Sequence, residues 1–348
     1  MVPTAEPGPA LPESFSSPES LSSQEPAPRF EPLAGSLATA KLRVGAAAGA
    51  PDSPDERKID PVTATDRALR PRRSFIFAPG TRPDMFPKAL RCGTDIVCVD
   101  LEDAVAPKDK EQARRQAFAQ LPAAEGPVRV ERVVRINCLR TLDGMADVQA
   151  LLQAPAAIEA VMLPKVKGPE EVRNLADLLV EYRLATRLHV IIETNEALEA
   201  AHEIARASDR IEALFFGGVD MAADLRCKSS WMALQYARSR VVHAAATQGL
   251  DAIDVPYLDL GDREGMLREA ALSAELGFTG KGAIHPKQIP DLNDVFTPDD
   301  ASVAHARRVL EAFEKSDGGL LVFEGKLIEK PVLRSFARML AVRAIADA

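Results

Sequence analysis

Charged side chains in this sequence recur at one kind of place, just beyond short apolar runs. One run ends in Val99-Asp100-Leu101-Glu102-Asp103 and the next in Val134-Arg135-Ile136-Asn137. Leu163-Pro164-Lys165, Ile191-Ile192-Glu193-Thr194 and Phe216-Gly217-Gly218-Val219-Asp220 follow, then a run carrying Asp254 and Asp259, then Ile284-His285-Pro286. One charge in such a place is the ordinary polar start of a loop; seven in succession point to a shared site. Their types suggest a chemistry. A hard divalent cation takes oxygen ligands, and Mg²⁺ keeps several waters while accepting one or two protein carboxylates. Glu193 and Asp220 are the candidate metal ligands. Arginine offers a planar fork that matches a carboxylate bidentately, which lysine does not, so Arg135 is the candidate clamp for a small acid. Zinc chemistry lacks its residues, with no HExxH and no Cys/His cluster, and there is no GxSxG elbow for a serine nucleophile. Lys165 reads as an ion-pair partner rather than a Schiff-base nucleophile.

These side chains meet only if the runs before them lie side by side. The candidate strands are Ser74–Ala78, Ile96–Leu101, Val133–Ile136, Ala160–Val166, Leu188–Glu193, Ala213–Gly217, Ala252–Leu258 and Gly282–His285. Between them lie helix-patterned segments such as Pro169–Tyr182, Ala197–Ala207, Met232–Thr247 and Arg263–Leu276. Alternating strands and helices indicate parallel βαβ units. Eight such units close a (β/α)8 barrel, an α/β fold whose active site sits at the C-terminal strand ends. The alternative is an open doubly wound sheet, but the first turn reads Ala78-Pro-Gly-Thr-Arg-Pro-Asp84 and not GxGxxG. The expected layout is a barrel over 73–298 and a C-terminal helical extension over 299–348. Within the extension Ala301–Glu314 reads as a helix and Gly318–Gly319 breaks it. Gly325–Leu340 is apolar and periodic enough to need a surface, either a neighbour's or its own barrel mouth.

Residues 1–72 differ in kind, being rich in Pro, Ala, Ser and Glu and poor in large apolar side chains. Such a stretch buries too little surface to offset the entropy of ordering, so a disordered N-terminal tail is expected. It lacks the basic start and apolar run of a secretory signal, and the early Glu6, Glu13, Glu19 and Glu25 argue against a mitochondrial transit peptide. The net charge of −8 would repel nucleic-acid phosphates. No apolar stretch approaches the roughly 20 residues that span a bilayer. Cys92, Cys98, Cys138 and Cys227 show no CxxC spacing, which fits a reducing, cytoplasmic setting. The expected partners are therefore small molecules, with neither nucleic acid nor membrane.

Arg72-Arg-Ser-Phe-Ile-Phe-Ala-Pro-Gly80 followed by Asp100-Leu-Glu-Asp-Ala-Val-Ala-Pro107 resembles the opening of the citrate lyase beta subunit family. That family includes the malyl-CoA lyases and belongs to the wider HpcH/HpaI aldolase group. The resemblance continues through Val134–Asn137, Leu163–Lys165, Ile192–Thr194, Phe216–Asp220, Lys281–Gln288, Phe296–Pro298 and Gly325–Pro331, covering essentially 73–342. It implies a homo-oligomeric barrel, trimer or hexamer, that binds Mg²⁺ and cleaves or forms a C–C bond beside a thioester. It implies Glu193 and Asp220 as the metal ligands, with Glu193 also facing substrate, and Arg135 as holder of the oxo-acid carboxylate. Glu102 and Asp103 match acids behind the metal that act through its waters. The last segment resembles an arm that reaches a neighbouring subunit's site with an acidic catalytic residue. Malyl-CoA lyase-like members carry Asp there; this chain has Glu329, whose extra methylene is expected to displace the carboxylate by more than about an ångström.

In the reaction so implied, Mg²⁺ and Arg135 grip the carboxylate and hydroxyl of the malyl-like half and a base removes the hydroxyl proton. The C–C bond then breaks and the thioester half leaves as an enolate. Glu329 is the first candidate for proton transfer, and a metal-held water beside Asp103 the second. Three alternatives stay open: a malyl-CoA-type thioesterase on the same scaffold, an aldolase of free acids, and the beta subunit of a multi-protein citrate lyase working on an acyl carrier protein.

Overall fold

The computed structural model describes residues 70–121, 130–154, 158–316 and 321–347. The expected tail lies outside these apart from its last three residues, as does the Gly318–Gly319 break. Eight parallel strands close into a barrel in chain order, with β8 returning to β1. They are β1 (Ser74–Pro79), β2 (Ile96–Asp100), β3 (Glu131–Arg135), β4 (Ala160–Leu163), β5 (Arg187–Ile192), β6 (Ile211–Phe216), β7 (Asp251–Asp254) and β8 (Gly280–Ala283). The helices between and around them are α1 (Phe86–Ala89), α2 (Lys110–Gln120), α3 (Leu142–Leu152), α4 (Pro169–Glu181), α5 (Asn195–Glu199), α6 (Ala201–Ala205), α7 (Gly218–Asp224), α8 (Trp231–Thr247), α9 (Arg263–Leu276) and α10 (Ile289–Val295). The helix expected over Ala197–Ala207 is thus two short ones, interrupted at Ala200.

Side chains alternate faces along a strand, and two separate apolar clusters record that alternation. Val97, Val99, Val134, Val161, Leu163, Val190, Leu214 and Phe216 pack outward among the helices. Phe75, Ile96, Cys98, Val133, Met162, Ile191, Phe215 and Ile253 fill the barrel. The parity decides what the strand ends present. Ile96 and Cys98 point in, so Asp100 does too; Val133 sends Arg135 in, and Ile191 sends Glu193 in. Ile253 points in, so its neighbour Asp254 must point out.

A polar plug closes the opposite end of the barrel. Arg72 donates from Nε to Glu131 at 2.6 Å and from Nη1 to Asp251 at 2.8 Å, and His189 Nε2 lies 3.0 Å from the same Glu131. Burial disfavours the Glu131 charge, but His189 and Arg72 outweigh it and hold the carboxyl well below the usual range. Arg72 therefore belongs to the fold, one residue ahead of the expected start, and Arg70 pairs with Glu159 beside it.

Beyond the barrel, α11 (Asp300–Glu314) is followed by β9 (Leu321–Phe323), β10 (Lys326–Ile328) and α12 (Lys330–Asp347). The periodic segment from Gly325 is thus not helical throughout. Glu324 and Gly325, both at positive φ (48° and 78°), make a two-residue turn that pairs Lys326 with Phe323. Val309, Phe313, Ile328 and Leu333 form a cluster of their own, distinct from the barrel core. Helix α12 meets its own barrel near the plugged end, where Arg338 lies 4.0 Å from Asp251 and Arg343 donates to the Pro298 carbonyl at 2.9 Å.

Candidate active site

Asp100 and Arg135, paired in register on β2 and β3, form the rigid side of the mouth. Arg135 donates from Nε to Asp100 Oδ1 at 2.7 Å and from Nη2 to Oδ2 at 2.6 Å. Asp100 is fixed in turn by the backbone N–H groups of Glu102 at 2.9 Å and Ala104 at 3.0 Å. The guanidinium carbon stands 4.5 Å from the centre of the Phe77 ring. Burial opposes the Arg135 charge, yet Asp100 and Glu102 hold it above its ordinary range. Asp100 occupies the Nε/Nη2 edge of the expected clamp, which leaves Nη1 toward Glu102 and Asp103. There Glu102 Oε2 lies at 3.2 Å and Asp103 Oδ2 at 3.9 Å.

Glu102 and Asp103 share a second cation, since Lys165 Nζ pairs with Glu102 and donates to Asp103 Oδ1 at 3.1 Å. Burial raises the Glu102 pKa despite these partners. Burial also works to raise that of Asp103, but Lys165 and Arg135 overcome it and hold the carboxyl down. Glu102 Oε2 is buried and accepts no hydrogen bond among the described residues, the Arg135 contact being an ion pair only. Beneath this turn Lys110 Nζ donates to the Leu101 and Glu102 carbonyls, both at 3.0 Å, and Asn137 Nδ2 donates to Asp147 at 2.7 Å and to the Leu101 carbonyl at 3.0 Å.

Glu193 directly follows β5 and is almost wholly buried. Its Oε1 accepts the Lys165 backbone N–H at 2.6 Å. Burial, and then the nearby Asp220 carboxylate, push its carboxyl up to about 8. Gly217, at the end of β6, makes this placement possible: a Cβ there would lie 2.4 Å from both Cβ and Oε2 of Glu193. Asp220 sits in the first turn of α7 and is half-buried.

Four residues picked from the sequence lie elsewhere. Asp254 points outward, accepting from Arg238 Nε at 2.9 Å, Ser273 Oγ at 2.6 Å and Lys281 Nζ at 2.6 Å. Asp259 and His285 line a different cavity of about 230 Å³ with Arg263 and Lys287. Glu329 is exposed, and its carboxylate pairs with no described residue of the same chain. The sequence reading assigned no role to Asp100, the Lys165 amide or Gly217. Strand parity could have found the first and the Gly-Gly pair the third.

Residues 73–286 match the HpcH/HpaI aldolase/citrate lyase family. The L-malyl-CoA/beta-methylmalyl-CoA lyase of Rhodobacter capsulatus is 34% identical, over 76% of this chain and 92% of that protein. The citrate lyase subunit beta of Escherichia coli is also 34% identical, over 80% of this chain and 95% of its own length. The chain belongs to the HpcH/HpaI aldolase/citrate lyase family. It is an enzyme, a carbon–carbon lyase of the citrate lyase beta-like kind. Among solved structures, RipC from Yersinia pestis is similar at 38% identity and a TM-score of 0.58, over 66% of this chain and 97% of that one. CitE from Mycobacterium tuberculosis, in complex with magnesium, acetoacetate and coenzyme A, is similar at 33% identity and a TM-score of 0.66, over 80% of this chain and 98% of that one.

The mouth of this family member fits a hard divalent cation. Asp220 lies close enough to raise the cost of ionising Glu193, and a 2+ charge held by the two would offset that cost. Groups of three or more metal-ligating His, Cys, Asp or Glu are lacking among the described residues. Two carboxylates are the complement expected for Mg²⁺, which completes its shell with water and substrate.

Proposed function

We propose that this enzyme is a Mg²⁺-dependent lyase that cleaves or forms a malyl-CoA- or citramalyl-CoA-like hydroxyacyl thioester, giving acetyl- or acyl-CoA and a 2-oxo acid. The observation that carries the reading is the buried Glu193 carboxyl beside Asp220, pushed up to about 8 and in need of a cation to ionise at neutral pH. The magnesium, acetoacetate and coenzyme A of the Mycobacterium tuberculosis complex support the same assignment of cofactor and substrate class. Glu193 and Asp220 would hold the metal, which when bound supplies Lewis acidity to a substrate hydroxyl or keto oxygen. Arg135, oriented by Asp100, would meet a substrate carboxylate with its Nη1 end. Glu102 and Asp103, both tied to Lys165, would orient water beside the metal ligands. Glu329 of a neighbouring copy is the first candidate to move the proton on the carbon next to the thioester, with water beside Asp103 the second.

The enzyme in this reading is a homo-oligomer, a trimer or hexamer. The exposed Val322 and Leu327 on the arm, and an arm core separate from the barrel, support that arrangement. Four unpaired thiols support a reducing, cytoplasmic setting. No helix among the described residues is long and apolar enough to cross a membrane. A second reading, a citrate lyase subunit acting on an acyl carrier protein, is favoured by the equal identity to the Escherichia coli subunit. A panel of malyl-, citramalyl- and citryl-thioesters, on CoA and on an acyl carrier protein, tests both readings with mass spectrometry of the products. The first predicts a 2-oxo acid and an acyl-CoA; malate with free CoA would make the enzyme a thioesterase, and turnover of carrier-protein substrates alone would establish the second.

A further inference from the structure

Lys165 is the residue of the site whose backbone is out of the ordinary. It follows β4 by two positions and adopts φ 53°, the left-handed region that side chains other than glycine enter at a cost. Both ends of this unusual residue are held. Its N–H donates to Glu193 Oε1 at 2.6 Å, and its carbonyl accepts from Arg140 Nη2 at 2.6 Å. Arg140, on the loop between β3 and α3, also pairs with Glu171 near the start of α4. Lys167, two residues on, donates its N–H to Glu171 as well, at 2.9 Å. The chain between β4 and α4 is thereby tied at both flanks in the one conformation that aims the Lys165 amide into the mouth.

On the other side of Glu193 stands Gly217, whose missing Cβ leaves room for Oε2. The carboxylate is therefore bracketed, with Oε1 fixed by an amide and Oε2 facing the space a Cβ would fill. Strained backbone persists where surrounding contacts over-determine it and is concentrated at functional sites. A hydrogen bond from a fixed amide is also a well-attested way to orient a metal-binding carboxylate.

We infer that Lys165 is a positioning residue whose left-handed backbone, anchored by Arg140, orients Glu193 as a cation ligand, independently of what its ammonium does at Glu102 and Asp103. This rests on the reading of Glu193 and Asp220 as a Mg²⁺ site. The discriminating variants all lack the ammonium and are graded in tolerance of positive φ: Lys165→Gly, Lys165→Ala and Lys165→Val. Glycine enters the left-handed region freely, alanine at a cost, and a β-branched residue with difficulty.

Mg²⁺ dissociation constants measured by calorimetry on the full chain, without substrate, read the effect directly. Affinity is expected to fall in the order Gly, Ala, Val, with Val at least about fivefold weaker than Gly at a temperature where all three are folded. If Lys165→Val does not fold, the Gly–Ala comparison carries the test, with Ala at least about twofold weaker. Arg140→Ala, which leaves every mouth carboxylate in place, is expected to weaken Mg²⁺ binding in the same direction. Equal affinities across the series, with wild type binding normally, would overturn the inference and leave the metal site standing. No Mg²⁺ binding by the wild-type chain would overturn the metal reading and this inference with it.

Discussion

Arg135 and Glu193 owe their chemistry to neighbours that fix them. Arg135 uses one edge of its fork on Asp100, so its geometry is anchored before any substrate arrives. Lysine at this position would keep the charge and lose both the anchor and the directed Nη1 end. Arg135→Lys should therefore raise KM for the oxo acid at least tenfold, with a smaller change in kcat; kinetics indistinguishable from wild type would show that charge alone matters. Glu193 gives a pH dependence whose sign follows from its raised pKa. From its ordinary 4.5 the carboxyl rises to about 8, so the metal-free fold keeps a proton that the unfolded chain has already released. That contribution to stability is fully present below about 4.5 and is lost as pH rises toward about 8. Mg²⁺ must displace the same proton, so its affinity should climb roughly tenfold per pH unit between 6 and 8 and then level off. Calorimetric titrations across that range check it, and Glu193→Gln should abolish both trends.

At the scale of elements, eight strands and most helices were legible because apolar runs and periodicity survive in the sequence. Most strand boundaries differ from those expected by a residue or two, but β4 ends three residues early and β7 four, and the latter difference matters for Asp254. Reading β7 as continuing to Leu258 placed Asp254 at the mouth, whereas Ile253 already fills the barrel interior and its neighbour must face the helices. Nothing in the sequence signals that Lys165 adopts positive φ, because lysine has no preference for it; the conformation comes from Arg140 and Glu193. The hairpin β9–β10 was missed for a different reason. Glu-Gly is a weaker turn signal than Asn-Gly, and the apolar residues around it fit a helical period equally well. Just past the hairpin, the Glu329 carboxylate pairs with no described residue of its own chain, so it is expected to serve a neighbour. Arg135→Ala and Glu329→Ala proteins, each nearly inactive alone, should regain activity when mixed under conditions of proven subunit exchange. Absence of recovery would place Glu329 outside the neighbour's site.

For the whole molecule, the two barrel ends divide the work between stability and chemistry. The plugged end gathers Arg72, Glu131, His189 and Asp251 in contacts with no access to the mouth. Removing one partner of such a buried pair costs about 3–5 kcal/mol, so Arg72→Ala should lower the melting temperature clearly. A chain beginning at Arg70 should melt and turn over like the full one, since no residue before it is assigned to the site; loss of turnover in that shortened chain would give the tail a role in it. The mouth, by contrast, keeps two carboxylates in conflict, and the central claim is that a cation resolves that conflict to drive C–C cleavage. The most direct measurement follows acyl-CoA and 2-oxo acid release from malyl- and citramalyl-CoA, with Mg²⁺ titrated against chelator, for wild type, Asp220→Ala and Glu193→Gln. Cleavage should vanish with chelator, return with Mg²⁺, and fall at least about a hundredfold in both folded variants. Cleavage by Asp220→Ala equal to wild type at the same Mg²⁺ would contradict the claim.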